Sequence, residues 1–154
     1  MIRLMQHSDL QKVVDIENQV QAYPWSSKQF VEAIQNYQTT VIEKNAEVVG
    51  FCILQPVLDE ANLLLMAIDP KYQGQGLGFE LLDQSIAQLK NNPIQIFLEV
   101  RQSNQAAIRL YEKAGFHQID LRKNYYLNRD GTKEHAIIMV KTCHDDFASL
   151  FRAE

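Results

Sequence analysis

Glu99 stands near the end of the apolar run IQIFLEV, and Tyr111 follows in the stretch QAAIRLYEKA. A carboxylate accepts a proton and a phenol donates one, so the pair suits general acid–base chemistry if the fold unites them. Period-2 alternation puts Ile94, Ile96, Leu98 and Val100 on one strand face and Gln95, Phe97 and Glu99 on the other. A carboxylate in that setting either reaches solvent, paired with Arg101 or a lysine, or is kept for chemistry. Tyr111 is equally open. With Ala107, Leu110 and Ala114 it completes an i, i+3, i+4, i+7 stripe, which by spacing alone reads as core. Asn104 is placed to cap the same helix and shares a face with Tyr111, about 10 Å away along the axis.

The second chemical motif is Gln73-Gly74-Gln75-Gly76-Leu77-Gly78, between an apolar strand and a helix. Glycines there let backbone N–H groups crowd against a ligand, and a helix amino end bears partial positive charge. Phosphate oxygens match both features, although a plain connecting turn would look the same. No Gly-Lys-Ser/Thr follows, which weakens a P-loop reading. Counting G-x-G-x-x-G from Gly74 ends on Phe79, which weakens a dinucleotide fingerprint.

Elements must position these groups. IRLMQ reads as a strand, and Ser8 with Gln11 as a capping box before a helix bearing Leu10, Val13, Val14 and Val20. A second box, Ser26 to Gln29, opens a helix with Phe30, Ala33, Ile34 and Tyr37. TTVIEKNAEVVGFCILQPVL predicts a hairpin turning at Asn45, with Pro56 ending the regular pattern. ANLLLMAID is apolar on both faces and predicts a central strand. The helix after the glycine motif shows Phe79, Leu82, Ile86 and Leu89 in one stripe, stopped at Asn91-Asn92-Pro93. The helix bearing Tyr111 ends at Gly115, which suits a left-handed cap. Two strands follow, around Ile119–Leu121 and HAIIMV, joined by a loop with Asp130-Gly131. The result is an α/β (α+β) mixed sheet with helices on both faces, in one domain spanning 1–154.

Bulk properties narrow the function classes. The chain has 154 residues and a formal charge of −4, with no basic footprint for nucleic acid. It shows no signal-peptide core and no membrane-length apolar run, and Cys52 and Cys143 lack a CxxC spacing. A cytoplasmic protein follows. The tail sequence Cys143-His144-Asp145-Asp146 lacks a second ligand pair, so no metal site is expected.

Q-x-x-G-x-G after a strand ending in Asp-Pro resembles the acetyl-CoA pyrophosphate loop of the GNAT family of N-acetyltransferases. Ser103-Asn104-x-x-Ala107-x-x-Leu110-Tyr111-x-x-x-Gly115-Phe116 resembles the family's other signature. The resemblance implies a mostly antiparallel central sheet splayed into an acetyl-CoA cleft, and acetyl-CoA as co-substrate. It assigns Gly74, Gln75, Gly76, Leu77, Gly78, Phe79 and Asn104 to the cofactor. A bulge in LLLMAID would free N–H groups at Met66, Ala67 and Ile68 for the pantetheine chain and the thioester carbonyl. The family usually has a basic residue where Gly74 stands, so one favourable charge is missing.

Tyr23-Pro24-Trp25-Ser26, Leu58-Asp59-Glu60-Ala61, Leu98-Glu99-Val100-Arg101, Arg122-Lys123-Asn124-Tyr125-Tyr126 and Ala136-Ile137-Ile138-Met139 narrow the likeness. They resemble the family's bacterial members that acetylate the N-terminal alanine of a small-subunit ribosomal protein, by resemblance the eighteenth. On that likeness Glu99 is the general base, its basicity raised by desolvation, and Tyr111 the acid that protonates the departing thiolate. Asp59, Glu60, Tyr125 and Tyr126 would border the slot for the basic peptide. The amine would attack directly in a monomeric enzyme, with neither cysteine as nucleophile. Two other readings stay open: a GNAT enzyme for a small-molecule amine or lysine side chain, and a non-catalytic acyl-CoA sensor. The segment HDDFASLFRAE, with Phe147, Leu150 and Phe151, lies outside the likeness, in a tail from about residue 143.

Overall fold

The computed structural model describes residues 1–143, so the tail with Phe147, Leu150 and Phe151 lies outside the described residues. Seven strands form one sheet: β1 (Ile2–Leu4), β2 (Gln38–Lys44), β3 (Glu47–Val57), β4 (Glu60–Ile68), β5 (Gln95–Arg101), β6 (His117–Leu127) and β7 (Lys133–Thr142). Their spatial order is β1-β2-β3-β4-β5-β7-β6. Every neighbouring pair is antiparallel except β4 and β5. Among the described residues four α-helices accompany the sheet: α1 (Leu10–Val20), α2 (Ser27–Asn36), α3 (Leu77–Ala87) and α4 (Gln105–Lys113).

The central strands β2 and β3 bury both faces, as their continuous apolar runs require, while β6 is largely exposed. On one face α1 and α2 deliver Val13, Ile16, Phe30 and Ala33 against Val41, Phe51 and Ile53. On the other, α3 delivers Leu81 and Leu82 against Cys52, Leu54, Leu63 and Leu98, with Tyr111 and Leu110 of α4 packed alongside. Alternation along β3 thus feeds Phe51 and Ile53 to one layer and Cys52 and Leu54 to the other. Among the described residues no helix is long and apolar enough to cross a membrane.

Local grammar explains most boundaries. Ser26 Oγ accepts the Gln29 N–H while Gln29 Oε1 accepts the Ser26 N–H, the expected reciprocal box. The β2–β3 turn places Asn45 and Ala46 at φ 55° and 64°, the left-handed pair that a two-residue hairpin needs. Gly115 at φ 99° ends α4 as expected.

Three expectations are corrected. Ser8 and Gln11 form no box: Asp9 accepts the Gln6 N–H at 2.7 Å instead, held by a two-pronged contact from Arg3. Pro56 does not end the regular pattern, because β2 stops opposite Leu54 and leaves that edge of β3 without a ladder for proline to break. The buried face of α3 is Gly78, Leu81, Leu82 and Ser85, with Phe79 turned aside. Ser85 tolerates burial through a 2.7 Å hydrogen bond with Thr40. The bulge expected in LLLMAID is present, at Leu64, since Ile53 pairs with Leu65 and Leu54 with Leu63.

Candidate active site

The sheet opens where β4 and β5 part. Their parallel pairing covers only Glu60–Leu63 against Gln95–Leu98, and the bulge at Leu64 begins the divergence. Beyond it Met66, Ala67 and Ile68 stay paired with β3 but, among the described residues, have no strand on the β5 side. The Asp69 N–H points to Val49 of β3, so alternation aims the backbone groups of Met66 and Ile68 at the open side. Ile68 confirms this direction, because its carbonyl accepts the Gln73 side-chain amide at 3.0 Å. The N–H groups of Met66 and Ile68 thus face the gap, whereas that of Ala67, expected to be free as well, turns to β3.

A cavity of about 680 Å³ fills this gap. Met66, Ala67, Ile68, Gly74, Gly76, Leu77, Gly78, Phe79 and Asn104 all line it, as expected. Gly74 and Gly76 both have φ +80°, and neither position has an atom within 4 Å of an added Cβ. The turn is therefore glycine-rich for its backbone, and it leaves space above it. Gly76 is the N-cap of α3, whose first intrahelical bond is the Glu80 N–H to the Gly76 carbonyl. The preceding N–H groups are left for a ligand at the positive end of the helix. Gln75 does not join the lining; its side-chain oxygen accepts the Lys44 ammonium. Arg109 and Lys113, which sequence reasoning passed over, line the cavity and supply positive charge that Gly74 lacks. They sit four residues apart on α4, so one helix face presents both. Free N–H donors, a roomy glycine turn and two cations fit a pyrophosphate with an amide-bearing tail.

A second cavity of about 380 Å³ lies beside it, lined by Glu99, Tyr125, Tyr126, Tyr23, Trp25 and Glu17 among others. The two share Gln21, Met66, Arg101, Asn104, Ala107 and Tyr111. Glu99 and Tyr111 therefore face one compartment, and Tyr111 stands where it meets the larger one. The core reading of Tyr111 holds, since its ring packs on the core, 6.0 Å from the Phe116 centroid, while the ring also lines both cavities. Burial pushes its phenol well above the usual tyrosine range, with Cys52 and Tyr126 adding to it, so it stays protonated. Asn104 caps α4, its side chain accepting the Ala107 N–H at 3.2 Å, and it lines both cavities.

Glu99 differs from expectation. Alternation in β5 is as read, with Ile96, Leu98 and Val100 buried and Glu99 outward. However, the Glu99 side chain is 34% exposed and sits 3.1 Å from Arg122, so the desolvated setting expected for it is not found. Arg101, the partner suggested by sequence, binds Glu134 at 3.0 Å and stacks 4.5 Å from the Tyr126 ring centroid.

Tyr125 and Tyr126 both line the smaller cavity, although neighbours in a regular strand face opposite ways. Four steps from Arg122 to Tyr126 match only two from Ala136 to Glu134, and Asn124 turns to φ 52°. This irregularity swings both rings to one side, where they meet edge to face at 5.2 Å. Burial, then the charge of Glu99, raises the Tyr126 phenol to about 12. Asp59 and Glu60 do not join the slot. They lie at the opposite end of β4, by the β3–β4 turn, where Ile94 and Asn91 bond their carbonyls. Cys52 is buried, lines neither cavity, and burial pushes its thiol up to about 12. Among the described residues no group of His, Cys, Asp and Glu could hold a metal.

Residues 10–116 match the Acetyltransferase (GNAT) family. The chain belongs to the GNAT family. It is 44% identical over 144 residues to the [ribosomal protein bS18]-alanine N-acetyltransferase of Escherichia coli K12, covering 90% of this chain and 95% of that one. The enzyme of the same name from Haemophilus influenzae is 42% identical, covering 86% and 91%. The crystal structure of the E. coli ribosomal-protein-S18-alanine N-acetyltransferase superposes with a TM-score of 0.86 at 41% identity, covering 94% of both chains. Ard1 from Thermoplasma volcanium gives 0.83 at 26% identity, covering 94% of this chain and 98% of that one.

GNAT acetyltransferases use acetyl-CoA as co-substrate.

Proposed function

We propose that this chain acetylates the N-terminal alanine of the bacterial ribosomal protein bS18, drawing the acetyl group from acetyl-CoA in the cytoplasm. One observation carries the reading: Tyr111 and Met66 belong to both cavities, and Glu99 faces the smaller one. The names of the full-length relatives supply the substrate.

Acetyl-CoA, when bound, supplies an acyl group on a thiol leaving group. The Met66 and Ile68 N–H groups hold the polar atoms of the donor and its thioester oxygen. An N-terminal amine has a pKa near 7.7–8.0, about 2.5 below lysine, so little help is needed to uncharge it. Glu99 takes the proton, directly or through one water. The new bond joins the amine nitrogen to the acyl carbon as the carbon–sulfur bond breaks. Tyr111, kept protonated by burial, gives its proton to the departing sulfur. Both groups reset by exchange with solvent, and no cysteine is acylated. Tyr125, Tyr126 and Tyr23 provide an aromatic entrance for the peptide.

Short peptides beginning Ala-Arg, polyamines and peptides with only an internal lysine separate the substrate classes. Mass spectrometry is expected to find one acetyl group, on the α-nitrogen of the Ala-Arg peptides. Acetylation of polyamines or lysine instead would sink the reading, as would calorimetric CoA binding with no turnover of any amine.

A further inference from the structure

Glu17 lies in α1 on the face that carries Val13 and Ile16, and none of it is exposed. One carboxyl oxygen, Oε2, accepts the Trp25 N–H at 3.0 Å. The other, Oε1, has no hydrogen-bond partner among the described residues. Buried acceptors are nearly always satisfied, and an unmet one is costly. Burial holds this carboxyl above the usual range, with only the Trp25 bond opposing it. It is the desolvated acid that the sequence suggested at Glu99.

Its place in the smaller cavity gives the idle oxygen a purpose. Exposure runs from a mouth at Tyr23, Tyr125 and Leu127, which are 57%, 50% and 45% exposed, to a floor at Leu63, Leu98 and Val100, all below 9%. A peptide that enters such a slot leads with its α-amino group, and later residues stay nearer the mouth. Glu99 is a third exposed and already engaged by Arg122. Among the described side chains that line this cavity, the buried acceptor with no partner is Glu17 Oε1.

We infer that Glu17 anchors the acceptor: its free oxygen accepts a hydrogen bond from the α-amino group and aims that nitrogen across the Tyr111 wall. This deepens the reading above and rests on it. Glu17 then fixes the amine while Glu99 removes its proton. The bond from Trp25 has a second effect, tying the aromatic segment at the mouth to the floor of the slot.

The test is a binding ratio on the CoA-loaded enzyme, using an Ala-Arg peptide and its desamino analogue, in which hydrogen replaces the α-amino group. Calorimetry on the unaltered enzyme is expected to favour the amino peptide by about tenfold or more, as one charge-assisted hydrogen bond provides. Glu17→Gln keeps an oxygen for the Trp25 N–H and is expected to bring the ratio to within about twofold of unity. A structural role would weaken both peptides alike, and an unchanged ratio in Glu17→Gln overturns the inference. Glu17→Asp, which withdraws the carboxyl by one methylene, gives a second reading: an intermediate ratio supports the anchor and an unaltered one overturns it. Failure of the unaltered enzyme to acetylate any Ala-Arg peptide would instead sink the proposed function, which this ratio leaves separately visible.

Discussion

Arg122 places a guanidinium nitrogen 3.1 Å from a Glu99 oxygen, while its guanidinium carbon lies 5.4 Å from the Tyr125 ring centroid. The proposed base thus rests against a cation borne by β6, the strand that carries Tyr125 and Tyr126. The pair is half in water, at 51% and 34% side-chain exposure, and such pairs contribute only about 0–1 kcal/mol. An incoming amine can displace it. Glu99→Gln is expected to lower kcat by about 100-fold or more, with the KM for acetyl-CoA within about twofold. Unchanged steady-state turnover would remove Glu99 from its role.

Tyr111→Phe keeps the ring that packs beside Phe116 and removes only the hydroxyl. The fold and CoA affinity should survive, while kcat falls by about 100-fold for want of an acid. Single-turnover kinetics at saturating acetyl-CoA check this, and a variant as fast as the parent would return Tyr111 to the core.

Lys113 lies 4.8 Å from the Phe79 ring centroid at the edge of the larger cavity, with Arg109 on the same helix face. If these cations stand in for the charge absent at Gly74, Lys113→Ala raises the KM for acetyl-CoA about three- to tenfold at low salt. The effect should shrink as ionic strength rises. A salt-independent loss would point to packing against Phe79 instead.

Glu17 also links stability to pH. Its carboxyl is raised by burial in the folded state, so the native protein binds this proton more tightly than the unfolded chain. Stability from this group is full below the unfolded carboxyl range and declines as pH rises through the folded value. Thermal melts of Glu17→Gln and the parent should diverge in favour of the variant as pH goes from 4 to 8. A pH-independent difference would contradict a desolvated, titrating carboxyl.

Local features of the site were legible in the sequence, and those set by distant neighbours were not. Gly76 and Asn104 obey the rules for helix starts, so the turn and the cap were readable from a few residues. The alternation of β5 correctly turned Glu99 outward. Its partner Arg122 lies two strands away across β7, where no local rule reaches. Tyr125 and Tyr126 share a side only through an irregularity in β6 that their own sequence does not announce. Asp59 and Glu60 failed because adjacency to a matched motif says nothing about which end of β4 holds the cleft. Glu17 left a signal that went unread: an acid at i+4 from Val13 and i−3 from Val20, inside an otherwise apolar stripe.

The central claim is that one compartment joins the two cavities at Tyr111, so that donor and acceptor are held at once. A conjugate tests it most directly, with the CoA sulfur joined through an acetyl bridge to the α-nitrogen of an Ala-Arg peptide. Calorimetry should find it at least about 100-fold tighter than CoA alone, because each half raises the effective concentration of the other. A conjugate that binds no more tightly than CoA would place the peptide outside the compartment and contradict the account.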